Sequence, residues 1–102
     1  MSARILTRTK FKAWLESKPK RSVVGFSGRA SSCPMASYIK SRNDSATVYV
    51  NSSEIIIGLP QERRVVSLPQ NGWISQFVMG VDGSGLSNIT AARALKILEG
   101  CK

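Results

Sequence analysis

The chain has 102 residues, 42% of them apolar and 21% charged, which suits one domain with one core and excludes wholesale disorder. No apolar run approaches the ~20 residues that span a bilayer, and the absence of histidine removes the commonest metal ligand and general base together. The formal net charge of +9 lies entirely in residues 1–42, where ten Lys/Arg face the single acid Glu16; from residue 43 onward five bases balance five acids.

A charge so uneven is not needed for solubility and points to a polyanionic or acidic partner for the N-terminal half. The chain opens without an apolar h-region or a small-residue cleavage site, so no secretory signal is expected. Its first 18 residues share the basic, hydroxyl-rich character of a transit peptide, but Phe11, Trp14 and Leu15 are residues a small core would keep. A cytoplasmic protein with no membrane association is the expectation. Cys33 and Cys101 then read as free thiols in a reducing compartment.

In chain order, residues 1–8 show no period and read as a basic flexible arm, with residues 9–102 as one domain. Thr9 can cap a helix to about Ser17, in which Phe11, Trp14 and Leu15 form one apolar stripe. Lys18 precedes Pro19 and is pushed out of the helical region, so that helix stops there. Ser22-Val23-Val24 reads as a short strand ended by Gly25, and Gly25 to Ser32 as a loop. Pro34 suits the first position of a second helix that buries Met35, Tyr38 and Ile39 and ends by Arg42.

The middle of the chain alternates as β-structure. Thr47–Val50, Glu54–Ile57 and Arg63–Ser67 are strands with short turns between them, and these favour an antiparallel meander. A third helix starts near Pro69 or Gly72 and carries Trp73, Ile74, Phe77, Val78 and Val81 on one face; Asp82 to Gly85 reads as a flexible link. Thr90 caps a last helix with Ala91, Ala94, Leu95 and Leu98 inward, Arg93 and Lys96 outward, and Gly100 as its stop. The expected fold class is α+β, with about four short helices packed on a small three-stranded antiparallel meander.

Two candidate sites emerge. Arg4, Arg8, Lys10, Lys12, Lys18, Lys20, Arg21 and Arg29 are the residues expected to contact phosphates, since Lys and Arg release counterions and give affinity without reading sequence. Arg63 and Arg64 can add to that surface. Phe11 and Trp14 lie among the charges, but their helical spacing assigns them to the core rather than to base stacking. The second site is an anion pocket of Gly28, Arg29, Ser31 and Ser32, where a glycine-bearing loop runs into a helix N-terminus. It lacks the phosphate-loop pattern and any acid placed to hold Mg²⁺.

Cys33, just before that helix, reads as a small cap residue rather than a nucleophile, because no imidazole is available to activate it. Asn88 to Leu95 resembles the first half of a helix-turn-helix, but no room remains for a reading helix before Lys102, so plain packing is preferred. The six acids fall at caps, turns and strand ends, and neither an enzyme nor a metal or cofactor is expected. A partner that is nucleic acid or a nucleoprotein is favoured. An acidic protein is the alternative, as is a homodimer that covers the third helix's apolar face or a sheet edge.

Phe11-x-x-Trp14-Leu15, Val24-Gly25, Cys33-Pro34-Met35-Ala36-x-Tyr38, Leu68-Pro69 with Trp73, Phe77-Val78 and Val81-Asp82, and Ile89-Thr90-Ala91-x-x-Ala94-Leu95 together give a loose likeness across most of the chain. The chain so resembles a group of small proteins of unknown function from bacteria, cyanobacteria among them, and their phages. That resemblance implies a cytosolic protein that binds a host macromolecule, for example an inhibitor of a host defence nucleoprotein in the manner of anti-CRISPR proteins. It implies no catalytic or binding residue.

Overall fold

The computed structural model describes residues 7–42 and 47–101. The chain is a small α+β domain with four helices and two antiparallel sheets. Its elements are α1 (Arg8–Glu16), β1 (Val23–Phe26), α2 (Pro34–Arg42), β2 (Thr47–Val50), β3 (Glu54–Gly58), β4 (Arg63–Ser67), α3 (Trp73–Asp82), β5 (Asn88–Thr90) and α4 (Ala91–Glu99). The meander β2-β3-β4 forms as the alternating sequence requires: Val48, Val50, Ile55 and Ile57 face the core, and Tyr49 and Val65 face solvent.

The second sheet departs from the sequence expectation. β1 pairs antiparallel with β5, with Val23 opposite Thr90, Gly25 opposite Ile89 and Phe26 opposite Asn88, and an irregularity between Val23 and Gly25. Asn88–Thr90 therefore belongs to a strand, which removes the helix-turn-helix register outright. β1 also runs through Gly25 rather than ending at it. The glycine is required there because a Cβ would stand 2.6 Å from the Cys33 carbonyl carbon, so β1 packs backbone-to-backbone against the entry to α2.

One core joins both sheets and all four helices. α3 buries Ile74, Phe77, Val78 and Val81, with Trp73 packed at the margin. Its apolar face is thus internal and does not await a partner. Phe11 of α1 sits at the centre of an aromatic cluster, edge-on to Phe77 (4.9 Å between centroids) and Tyr38 (5.2 Å), and stacked with Trp14. Both cysteines are buried free thiols. Among the described residues, no helix is long and apolar enough to cross a membrane.

α1 begins two residues earlier than its composition suggests. Thr7, not Thr9, is the cap, and its hydroxyl accepts the Lys10 N–H at 3.2 Å. The earlier start is held by a tertiary bond that no local pattern carries: Arg8 Nη2 donates to the Leu98 carbonyl at 3.0 Å. At the other end of the chain Thr90 caps α4 as expected, accepting the Arg93 N–H. Gly100 follows with φ of −80°, so the helix stops without a left-handed residue.

Candidate polyanion-binding surface

α1 sorts its residues by the helical period. Phe11 and Leu15 are fully buried, and Lys10, Lys12 and Glu16 are exposed. The chain leaves α1 at Ser17 and Pro19 and turns, with the Ser22 N–H donating to the Pro19 carbonyl at 3.0 Å. The turned segment then lies against α4: Ala92 N–H donates to the Lys20 carbonyl at 3.1 Å and Ala91 N–H to the Ser22 carbonyl at 2.9 Å.

Those two bonds satisfy N–H groups that the first turn of any helix leaves without intrahelical partners. Their consequence for charge is larger. They fix Lys20 and Arg21 beside the N-terminal turn of α4, where Arg93 is exposed and the helix dipole is positive. α1 and α4 pack on each other with opposite direction, since Arg8 meets Leu98 at one end and Lys20 meets Ala92 at the other.

The N-terminal segment thus exposes Lys10, Lys12, Lys18, Lys20 and Arg21, and α4, which packs on α1, exposes Arg93 and Lys96. The last two residues were legible only as outward-facing. What adds them to the basic surface is the α1–α4 packing, which spans the length of the chain. Among the described residues, Lys10, Lys12, Lys20 and Arg21 have neither an ion-pair nor a side-chain hydrogen-bond partner. Lys18 is partly committed, its ammonium lying 5.3 Å from the Trp14 ring centroid.

Arg8 stands apart from this group. Its guanidinium is half-buried across the last turn of α4, donating to Leu98; burial raises the Cys101 thiol there, and the Arg8 charge offsets only part of that rise. A cation at a helix C-terminus answers the unpaired carbonyls and the negative end of the dipole, so Arg8 serves the fold. Arg4 lies outside the described residues. Of the two arginines of β4, Arg64 pairs with Glu62 at 3.0 Å and Arg63 lies on the sheet edge.

The second candidate site sits at the opposite end of β1 from Arg21. Gly28 has φ of +71°, a left-handed conformation that glycine adopts without strain, and nothing lies within 4 Å of where its Cβ would be. Its N–H, the donor a phosphate would use, is taken by the Asp82 carboxylate at 3.1 Å. The entry to α2 is also occupied, since Cys33 Sγ accepts the Ala36 N–H at 3.5 Å. Ser31 and Ser32 are half-buried, and their carbonyls accept from Lys40 Nζ and the Phe26 N–H.

Arg29 is exposed, with its guanidinium 5.4 Å from the Phe26 ring centroid. A cleft of about 160 Å³ opens beside this loop, lined by Gly28, Arg29, Cys33, Phe77, Val78 and Asp82. Its one acid repels an anion, and its other walls are mostly apolar. Burial pushes the Cys33 thiol up, with Asp82 adding to the shift, so the thiol is held protonated rather than activated. Among the described residues, no group of three or more His, Cys, Asp or Glu comes together to hold a metal ion.

Comparison with protein-family models, with curated proteins and with solved structures finds no match to this chain.

Proposed function

We propose that this domain is a binding module for a polyanion, nucleic acid or a nucleoprotein, which it meets through the basic side formed by α1, the 18–21 connection and α4. The observation that carries this reading is the anchoring of the Lys20 carbonyl to the Ala92 N–H, which holds Lys20 and Arg21 outward at the start of α4 with no acid among the described residues paired to them. Cations left unpaired on a fixed backbone are poised for phosphate contacts, because no intramolecular ion pair has to break first.

Contact of this kind is read through the backbone of the nucleic acid. Phe11, the aromatic at the centre of the basic segment, is fully buried, and Trp14 is packed on it, so the surface offers charge without an open stacking platform. Affinity without base preference is therefore the expectation. The test is fluorescence anisotropy of the full chain with labelled RNA, single-stranded DNA and duplex DNA at two salt concentrations. Binding that weakens steeply with salt in at least one of them supports the reading. No binding to any of them at low salt overturns it.

A further inference from the structure

The two edges of the β2-β3-β4 sheet are treated differently. On β2, the outward Val50 N–H is taken by the Ala30 carbonyl at 2.9 Å, so the loop after β1 meets that edge at Val50. On β4, the direction of each backbone group follows from its neighbours. Leu59 and Glu62 exchange hydrogen bonds at one end, and Leu68 N–H donates to the Ser53 carbonyl at the other. In an antiparallel ladder bonded pairs alternate, so Arg64 and Val66 also bond to β3. The N–H and C=O groups of Arg63, Val65 and Ser67 then point away from β3, and among the described residues nothing pairs with them.

We propose that β4 is a self-association edge, at which a second copy of this chain adds antiparallel about a two-fold axis through Val65 and fuses the two meanders into one sheet. The register argues for a second copy over other partners. Centred on Val65, the strand places Val65 opposite Val65 of the other copy, and Arg63 opposite Ser67. Each of these is an outward-pointing residue, so every free donor meets a free acceptor.

The side chains agree with that register. On the solvent face, Tyr49, Ile56 and Val65 form a cross-strand row, in which Tyr49 is 50% and Val65 52% exposed. Pairing at Val65 continues this row into its symmetry mate and covers the most exposed part of it. The charges also agree. The two copies' arginines do not face each other, because Arg63 falls opposite the short Ser67, and beyond Ser67 on the same row stands Glu54. Adjacent strands are about 4.8 Å apart, so an arginine can reach across the intervening serine to that carboxylate.

Space exists for the second copy. Arg64, which shares the core-side face with Val48 and Ile57, still has 48% of its side chain exposed, so the cover beneath β4 ends short of Arg64, although Val66 packs against the core. This association is independent of polyanion binding, whose residues lie on α1, the 18–21 connection and α4.

Sedimentation velocity or light scattering of the full chain at about 0.15 M salt, where the Debye length is about 8 Å, tests it. The wild type is expected to move from the 11.1 kDa monomer to twice that mass as concentration rises. Val65→Lys sets like charges directly opposite each other at the two-fold and should weaken association about tenfold or more. Val65→Pro removes an outward N–H that β3 does not use and should have the same effect with the circular-dichroism spectrum retained. Arg63→Glu should weaken association, and Glu54→Arg added to it should restore part of the loss. A wild type that stays monomeric throughout, or a dimer that Val65→Lys leaves unchanged in strength, overturns the proposal.

Discussion

Arg8 and Leu98 are ninety residues apart in sequence and joined by one hydrogen bond, from Arg8 Nη2 to the Leu98 carbonyl at 3.0 Å, which ties the first turn of α1 to the last turn of α4. The bond divides the basic N-terminal segment into two kinds of cation. Arg8 is used by the fold, whereas Lys10, Lys12, Lys20 and Arg21 are left to the solvent side. Arg8→Met keeps most of the apolar stem but removes the donor. It should lower unfolding free energy by about 1.5–3 kcal/mol, the range for a hydrogen bond to a charged group. Urea denaturation of the variant checks this, and its polyanion affinity should fall less than that of Lys20→Glu.

Gly25 should prove intolerant of any side chain. A Cβ there would meet the backbone of Cys33 and Pro34 where β1 crosses the start of α2, and neither is a flexible group that can swing away. Gly25→Ala is therefore expected to destabilise by about 1–3 kcal/mol, the usual cost of overpacking, or to prevent folding. Gly28→Ala is the informative comparison: it has open space but a positive φ, so its cost is conformational only. A denaturation midpoint for Gly25→Ala equal to that of the wild type would contradict the close approach.

The buried thiols and Tyr38 should make the fold less stable at alkaline pH. Burial pushes Cys33 and Cys101 above the ordinary thiol value, and burial also raises Tyr38. A raised pKa in the folded state means that the unfolded chain loses its protons first. Stability is then fully present below the ordinary thiol pKa of about 8.5 and declines as pH climbs through it. Melting temperatures should hold steady from neutrality to about pH 8 and fall above about pH 9. Both thiols should also resist alkylation by iodoacetamide in the native state and react on unfolding. Rapid native labelling of Cys33 would show the burial to be wrong.

Much of the scaffold is legible residue by residue. Pro34 opens α2, the alternation in 47–67 gives three strands at their observed positions, and Thr90 caps α4. Each of these signals is local. What escapes a local pattern is the second sheet, because β5 is three residues long with Ile89 as its one buried side chain, and its partner β1 lies more than sixty residues earlier. The same reason explains the misplaced start of α1: Thr7 and Thr9 are equally good caps, and the Arg8–Leu98 bond decides between them.

The surface was legible to a similar depth. The lopsided charge locates α1 and the 18–21 connection, while Arg93 and Lys96 join them through the packing of α1 on α4. The anion pocket at Gly28 looked open because Asp82 reads as part of a flexible link. It is the last residue of α3, and its carboxylate stands where an anion would bind.

If the exposed cations of the N-terminal segment bind phosphates, as proposed, the binding must depend on salt. The measurement compares the full-length chain with a Lys18→Glu, Lys20→Glu, Arg21→Glu variant of equal thermal stability, on the same duplex or single strand, across a salt series. Log affinity of the wild type should fall linearly with log salt, with the slope shallower by about 3 in the variant and weaker binding whatever the nucleic-acid sequence. An unchanged slope in the variant, or wild-type binding insensitive to salt, would contradict it.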